Sequence, residues 1–239
     1  MTARRFLVFQ HVAVEHPGRL RDFWREAGIE WDAVELDEGQ PIPALEPYDA
    51  LVVMGGPMDV WQTAEHPWLL PEMAAIRRWV KEMDRPYLGI CLGHQLLAQA
   101  LGGDVGLADT AEVGLSEVLL TREGLADPML RGFPPSIDVF QWHGAEVRRL
   151  PAGAAVLATS GACRVQAMRC GRAAYGFQYH CEITDSTIGE WRAIPAYATS
   201  LREVLGEAGA AGLEGSTASL LPALGLDARR LSENFLGLL

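Results

Sequence analysis

Three side chains of the 239-residue sequence, brought together, could cleave an amide: a cysteine, a histidine and a glutamate. Cys91 stands in Gly89-Ile-Cys-Leu-Gly93, between the apolar run Pro86 to Ile90 and an amphipathic stretch closed by Gly102 and Gly103. That succession reads as a buried strand, one tight turn and a helix. The G-x-C-x-G is the thiol counterpart of the G-x-S-x-G turn, where small flanking residues let a strained backbone present a nucleophile. A cysteine there heads a helix, whose partial positive charge favours thiolate, the reactive form. The N–H of Leu92, unpaired at the same terminus, is placed to receive an oxyanion. An inert buried cysteine is the ordinary alternative; the strand-turn-helix setting with both glycines argues against it.

A thiol nucleophile needs an imidazole to take its proton and a third group to fix the imidazole's tautomer. His180 ends the strand-like run Ala173 to Tyr179, and Glu182 follows in Gln178-Tyr-His-Cys-Glu182. In a chain rising about 3.3 Å per residue, side chains two apart share a face about 6.6 Å apart, within reach of a carboxylate–imidazole bond. A lone histidine is ordinarily structural. The neighbouring carboxylate and a nucleophile turn in the same chain favour the functional reading for His180. His143, in Phe140-Gln-Trp-His-Gly144, competes as base but has no carboxylate two residues on, so it is assigned to the pocket lining. His94 lies on the helix that Cys91 heads, too local to serve.

These side chains need a rigid frame. In the first half, apolar runs alternate with helical patterns: Phe6 to Phe9, a helix near Gly18 to Gly28, Ala50 to Met54, a helix near Leu69 to Glu82, then Pro86 to Ile90. That alternation predicts a parallel α/β sheet with covering helices, and the near-continuous apolar runs predict strands buried on both faces. Between Gly106 and Gly176 shorter, antiparallel pieces are expected at Ser116 to Thr121, Ala155 to Thr159, Cys163 to Met168 and Ala173 to Tyr179. From Asp185 onward helices are expected, with a glycine-rich break around Gly206 to Gly215 and a final helix near Asp227 to Leu236. Residues 1–190 are assigned to one domain and residues 191–239 to a helical extension packed on it.

Composition narrows the partners. Twenty Lys and Arg against 31 Asp and Glu give a net charge of -11, with no dense basic cluster, so nucleic acid is not expected as a partner. The start, Met1 to Phe9, resembles a signal peptide only superficially, since Gln10, His11 and Glu15 interrupt it; it is read as the first strand. No apolar run approaches a bilayer span of about 18 residues, so no membrane association is expected. Four cysteines, Cys91, Cys163, Cys170 and Cys181, without a secretory signal fit a reducing compartment, and a cytoplasmic location is expected.

Three stretches in order, Gly55-Gly-Pro-Met-Asp-Val60, Gly89-Ile-Cys-Leu-Gly-His-Gln95 and Gly176-Phe-Gln-Tyr-His-Cys-Glu182, together resemble the class I glutamine amidotransferases. The resemblance implies a flavodoxin-like, mostly parallel sheet with helices on both faces, a small antiparallel section and the C-terminal helices beside it. It implies Cys91 as nucleophile, His180 as base and Glu182 as its orienter. It also implies an oxyanion hole from the amides of Gly56 and Leu92, and a substrate pocket that includes Gly55, Gln95 and His143. The family commonly has His-Pro-Glu where this chain has His180-Cys-Glu182. With Phe9-Gln-His-Val and Phe140-Gln-Trp-His-Gly144, the sequence is most similar to stand-alone proteins related to the amidotransferase domain of GMP synthase.

The activity so implied is hydrolysis of glutamine through a cysteinyl thioester, giving glutamate and ammonia. No cofactor is expected: the half-reaction requires no metal or nucleotide, and neither a G-x-x-x-x-G-K-[ST] loop nor a G-x-G-x-x-G is present. Only about 45 residues follow the sheet, too few for an ATP-using domain, so the ammonia would pass to a separate synthetase subunit or simply be released. Two other readings stay open: a γ-glutamyl peptide or amide hydrolase with the same triad, and a non-enzymatic binding or regulatory module. The C-terminal apolar positions either pack on the sheet or form a face for a partner or a second copy of the chain.

Overall fold

The computed structural model describes residues 4–239, so Met1 to Ala3, the first residues of the signal-like start, lie outside the described residues. Nine strands form one sheet in the order β2-β1-β3-β4-β9-β8-β7-β5-β6. The strands are β1 Arg5–Gln10, β2 Glu30–Glu35, β3 Ala50–Val53, β4 Tyr87–Ile90, β5 Asp104–Leu120, β6 Ser136–Arg149, β7 Ala155–Thr159, β8 Ala167–Cys170 and β9 Ala174–Phe177. The half from β2 to β9 is parallel, in the 2-1-3-4-5 order of doubly wound sheets, and the half from β9 to β6 is antiparallel.

The parallel strands are apolar throughout because both faces are covered. Leu7, Phe9, Leu51 and Val53 pack on one face with Leu69, Ile76, Trp79, Leu96 and Leu97 of helices α2 (Leu69–Arg77) and α3 (Leu92–Ala100) and the wide turn after α2. Phe6, Val8, Ala50 and Val52 pack on the other with Leu20 and Trp24 of α1 (Leu20–Glu26) and Leu231 and Phe235 of α7 (Leu221–Leu236). A third cluster joins Val113, Phe140 and Trp142 of the β5–β6 hairpin to Trp191 of α5 (Thr187–Arg192) and to Tyr197, Leu201 and Leu213 of α6 (Pro195–Ala218). A short helix, α4 (Arg122–Ala126), follows β5.

The antiparallel half is larger than the sequence pattern predicts. β5 and β6 are single long strands of 17 and 14 residues rather than short pieces. β6 and the edge strand β2 escape the pattern because polar residues interrupt both; Glu30 and Ala33 of β2 are exposed. The strand expected at Cys163 begins only at Ala167, because Ser160 and Cys163 close a loop in which the Ser160 N–H donates to the Cys163 carbonyl at 2.8 Å. The run expected to be antiparallel at Ala173 to Tyr179 gives β9, parallel to β4 on one side and antiparallel to β8 on the other. The expected break at Gly206 to Gly215 is a kink at Gly206 alone, with φ 67° and ψ 175°, and helix resumes through the remaining glycines. The last helix begins at Leu221, earlier than expected. Among the described residues no helix is long and apolar enough to cross a membrane.

One contact ties the parallel strands to the cysteine turn. A Cβ on Gly93 would lie 2.1 Å from the Val53 carbonyl oxygen, and one on Gly89 would lie 2.5 Å from the Gly93 backbone. Both glycines are there for closeness: α3 starts directly against the ends of β3 and β4. Gly93→Ala must therefore push α3 off the sheet. An overpacking cost of about 1–3 kcal/mol is expected, read as a lower urea midpoint at unchanged m-value.

Candidate functional site

Cys91 is the residue between β4 and α3, with φ 52° and ψ -106°, one of two non-glycine residues of positive φ among the described residues. Such backbone costs of order 1–3 kcal/mol and persists only where the surroundings over-determine it. They do here. The Cys91 N–H donates to the Phe177 carbonyl at 2.8 Å, and the Gly93 N–H donates to the Met54 carbonyl at 3.1 Å. The turn is thus stitched to the ends of β9 and β3. No backbone partner remains for the Leu92 N–H among the described residues.

His180 follows β9 and is held by reciprocal backbone bonds with Phe140 of β6, 2.8 and 3.3 Å long. Its Nδ1 bonds Glu182 Oε1 at 2.7 Å, and its other nitrogen has no hydrogen-bond partner. The extended chain past β9 therefore does put the two side chains on one face. Burial pushes the imidazole down, but the Glu182 carboxylate and hydrogen bonding with Cys91 and Glu182 outweigh it and leave its pKa well above the ordinary value. Trp191 packs edge-on against the ring, centroids 4.8 Å apart. Glu182 is fixed from behind: its carbonyl accepts the Arg19 N–H at 2.8 Å, and a Cβ on Gly18 would lie 2.0 Å from that carbonyl oxygen.

A cavity of about 130 Å³ opens beside Cys91. Gly56, Pro57, Met58 and Asp59 line one side, Leu92 and Gln95 the floor, and Trp142, His143 and Ala145 of β6 another side. Ala196, Tyr197 and Ser200 of α6 complete the wall. Of the residues expected at the pocket, Gly56, Leu92, Gln95 and His143 reach the cavity. Gly55 does not: its carbonyl accepts from His11 Nδ1 at 2.8 Å, and its α-carbon packs against the Glu15 carboxylate. His180 and Glu182, 1% and 2% exposed, do not line the cavity either.

Sequence reasoning missed several polar groups here. Gln178 Nε2 approaches Cys91 Sγ at 3.7 Å, and its Oε1 accepts from Gln95 Nε2 at 3.0 Å. Glu15, 2% exposed, accepts from the Tyr197 hydroxyl; burial pushes its carboxyl up against the pull of His180. His11 bonds Glu72 Oε1 at 2.9 Å through Nε2. Ligand-type atoms of Glu112, His143 and Cys163 lie within 4.8 Å of one another and could hold a metal ion. The Glu112 oxygens already accept from Ser160 at 3.0 Å and Gln166 at 2.7 Å and meet His143 at 3.2 Å, so the group also serves as a hydrogen-bonded prop for the cavity wall. The four cysteines are buried and free.

A profile of the family described as glutamine amidotransferase class-I matches residues 19–191. The chain is 36% identical over 159 residues to the smaller component of the glutamine-hydrolysing GMP synthase of Sulfolobus acidocaldarius, covering 66% of this chain and 80% of that protein. It is 34% identical over 185 residues to the glutamine amidotransferase-like protein YfeJ of Salmonella typhimurium, covering 73% and 74%. Among solved structures, a glutamine amidotransferase of Thermotoga maritima superposes with a TM-score of 0.86 at 29% identity, covering 98% of this chain and 99% of that one. One from Methylobacillus flagellatus superposes at 0.88 and 26%, covering 100% and 96%. The structural likenesses extend over the C-terminal helices.

Because Glu182 raises the His180 pKa, Glu182→Gln should let the imidazole lose its proton at lower pH, read from an NMR titration of the ring. A group whose folded pKa exceeds its unfolded value of about 6.5 stabilises the fold below that pH, and the contribution is lost as pH rises through the folded value. The native chain's stability advantage over Glu182→Gln should therefore be largest near neutrality and shrink toward alkaline pH, measured by urea denaturation. An advantage that grows with pH would contradict this.

Proposed function

The chain belongs to the class I glutamine amidotransferases, and from that premise we propose that it hydrolyses the side-chain amide of glutamine through a thioester on Cys91. The observation that carries this reading is the cysteine at the head of α3 with a buried His180–Glu182 pair bonded at 2.7 Å on the neighbouring strand end. Cys91 Sγ attacks the amide carbon while the N–H groups of Leu92 and Gly56 stabilise the tetrahedral oxyanion. His180 delivers a proton to the departing nitrogen, so that ammonia leaves and a γ-glutamyl thioester remains. His180 then takes a proton from water, the hydroxide adds to the thioester, and collapse returns the thiol and releases glutamate. Glu182 holds the ring in the tautomer that aims the unpartnered nitrogen at the sulfur.

The size of the cavity, about 130 Å³ with α6 as one wall, supports free glutamine over a larger γ-glutamyl conjugate. The relatives from Sulfolobus and Archaeoglobus are subunits of a glutamine-hydrolysing GMP synthase. By that likeness the ammonia made here is delivered to a separate synthetase subunit. Native protein should release ammonia from glutamine, and Cys91→Ala should fall to the uncatalysed background. Retained activity in Cys91→Ala would remove the cysteine from the mechanism, and faster turnover of γ-glutamyl dipeptides than of glutamine would replace the substrate.

A further inference from the structure

His11 and Glu72 are fully buried at 0% exposure and do not touch the cavity, yet both histidine nitrogens are engaged. Nδ1 lies 2.8 Å from the Gly55 carbonyl and Nε2 lies 2.9 Å from Glu72 Oε1. Trp68 stacks on the ring at 5.4 Å and 14°, which fixes its plane. Both partners accept hydrogen bonds, so the ring satisfies them only by donating from both nitrogens, as an imidazolium.

We propose that His11, clamped by Glu72, is a positioning residue that fixes the Gly55–Gly56 peptide with its N–H turned into the cavity beside Cys91. The inference rests on the amidotransferase reading above, in which that N–H receives the oxyanion. The geometry is that of any trans peptide: the carbonyl and the N–H of one amide point in opposite directions, and no cis bond occurs among the described residues. Holding the Gly55 oxygen toward His11 therefore aims the Gly56 N–H the other way. There Gly56 lines the cavity, and its N–H has no partner among the described residues. A glycine pair would otherwise turn freely, since neither residue has a Cβ to resist it. The space is nevertheless tight: a Cβ on Gly56 would lie 2.9 Å from His11 Cβ and 3.0 Å from the Leu92 side chain. A cationic donor on the carbonyl also polarises the amide, making its N–H a stronger donor toward a developing negative charge. Burial opposes a charged His11, but Glu72 outweighs it and the imidazole's pKa is raised.

The test compares the native chain with His11→Ala, His11→Asn and Glu72→Gln for glutamine turnover and for alkylation of Cys91 by iodoacetamide, a reaction that forms no oxyanion. Deleting an oxyanion donor outright costs about 10²–10³ in kcat, so misplacing one is expected to cost about 10- to 100-fold in His11→Ala. KM and the alkylation rate should stay within about twofold. The Asn side-chain N–H can overlie Nδ1, so His11→Asn should recover much of the loss, and Glu72→Gln should show a smaller drop. Should His11→Ala not fold, the other two variants carry the comparison. Turnover within about twofold of native in both His11→Asn and Glu72→Gln, with His11→Ala also unimpaired, overturns the inference. So does alkylation falling in step with kcat. The crystal structure of His11→Leu gives a reading independent of the substrate: the Gly55 carbonyl should leave its native direction, and an unmoved peptide overturns the inference. A native chain inactive on glutamine would instead fail the amidotransferase reading, with the peptide's direction still deciding this one.

Discussion

A turn that places Cys91 at φ 52° can exist only if its neighbours hold it there. Two backbone bonds do so, from the Cys91 N–H to the Phe177 carbonyl and from the Gly93 N–H to the Met54 carbonyl. Each ties the turn to a different flanking strand. The same ties bring the cysteine to the ends of β3 and β9, where the Gly55-Gly56 loop and His180 begin. Positions at the carboxyl ends of parallel strands are where doubly wound sheets bind ligands, because side chains and helix N-termini converge in one crevice. Strand order therefore decides which residues meet: β1 delivers His11, β3 the glycine loop, β4 the cysteine and β9 the histidine.

The parallel half of the sheet was legible because burial on both faces writes a simple signature, an unbroken apolar run. Phe6 to Phe9 and Ala50 to Val53 alternate between two different cores, and neither face tolerates a polar residue. β2 lies at an edge and β6 passes under the cavity, so each carries polar residues that hide the strand. The pairing of His180 with Glu182 was legible for the same local reason: the two residues are adjacent on one face of an extended chain.

The remaining site polar groups have no such local signature. His11 meets Glu72 across 61 residues, Gln95 meets Gln178 across 83, and Glu15 meets Tyr197 across 182. Only the closed fold brings these pairs together, and no spacing in the sequence announces them. Gly55 was misread for a related reason: the Gly-Gly-Pro pattern marks a close backbone approach but does not say which glycine faces the ligand and which faces Glu15.

The C-terminal helices change the physics of the site rather than merely covering it. Trp191 packs on the His180 ring, Tyr197 bonds Glu15, and Ser200 accepts from the Trp142 indole at 3.0 Å while lining the cavity. Each contact removes water from around a buried ionisable group. Charges in such surroundings interact more strongly than in solvent, and the same low dielectric makes an unpaired one costly. The His180–Glu182 and His11–Glu72 pairs are accordingly closed by short hydrogen bonds, 2.7 and 2.9 Å. The energy spent on burying them is recovered only where charge must develop in a dry place, as in an oxyanion forming between two backbone amides. Without α5 and α6 those pairs would face solvent, and the bonds that aim them would weaken against competition from water.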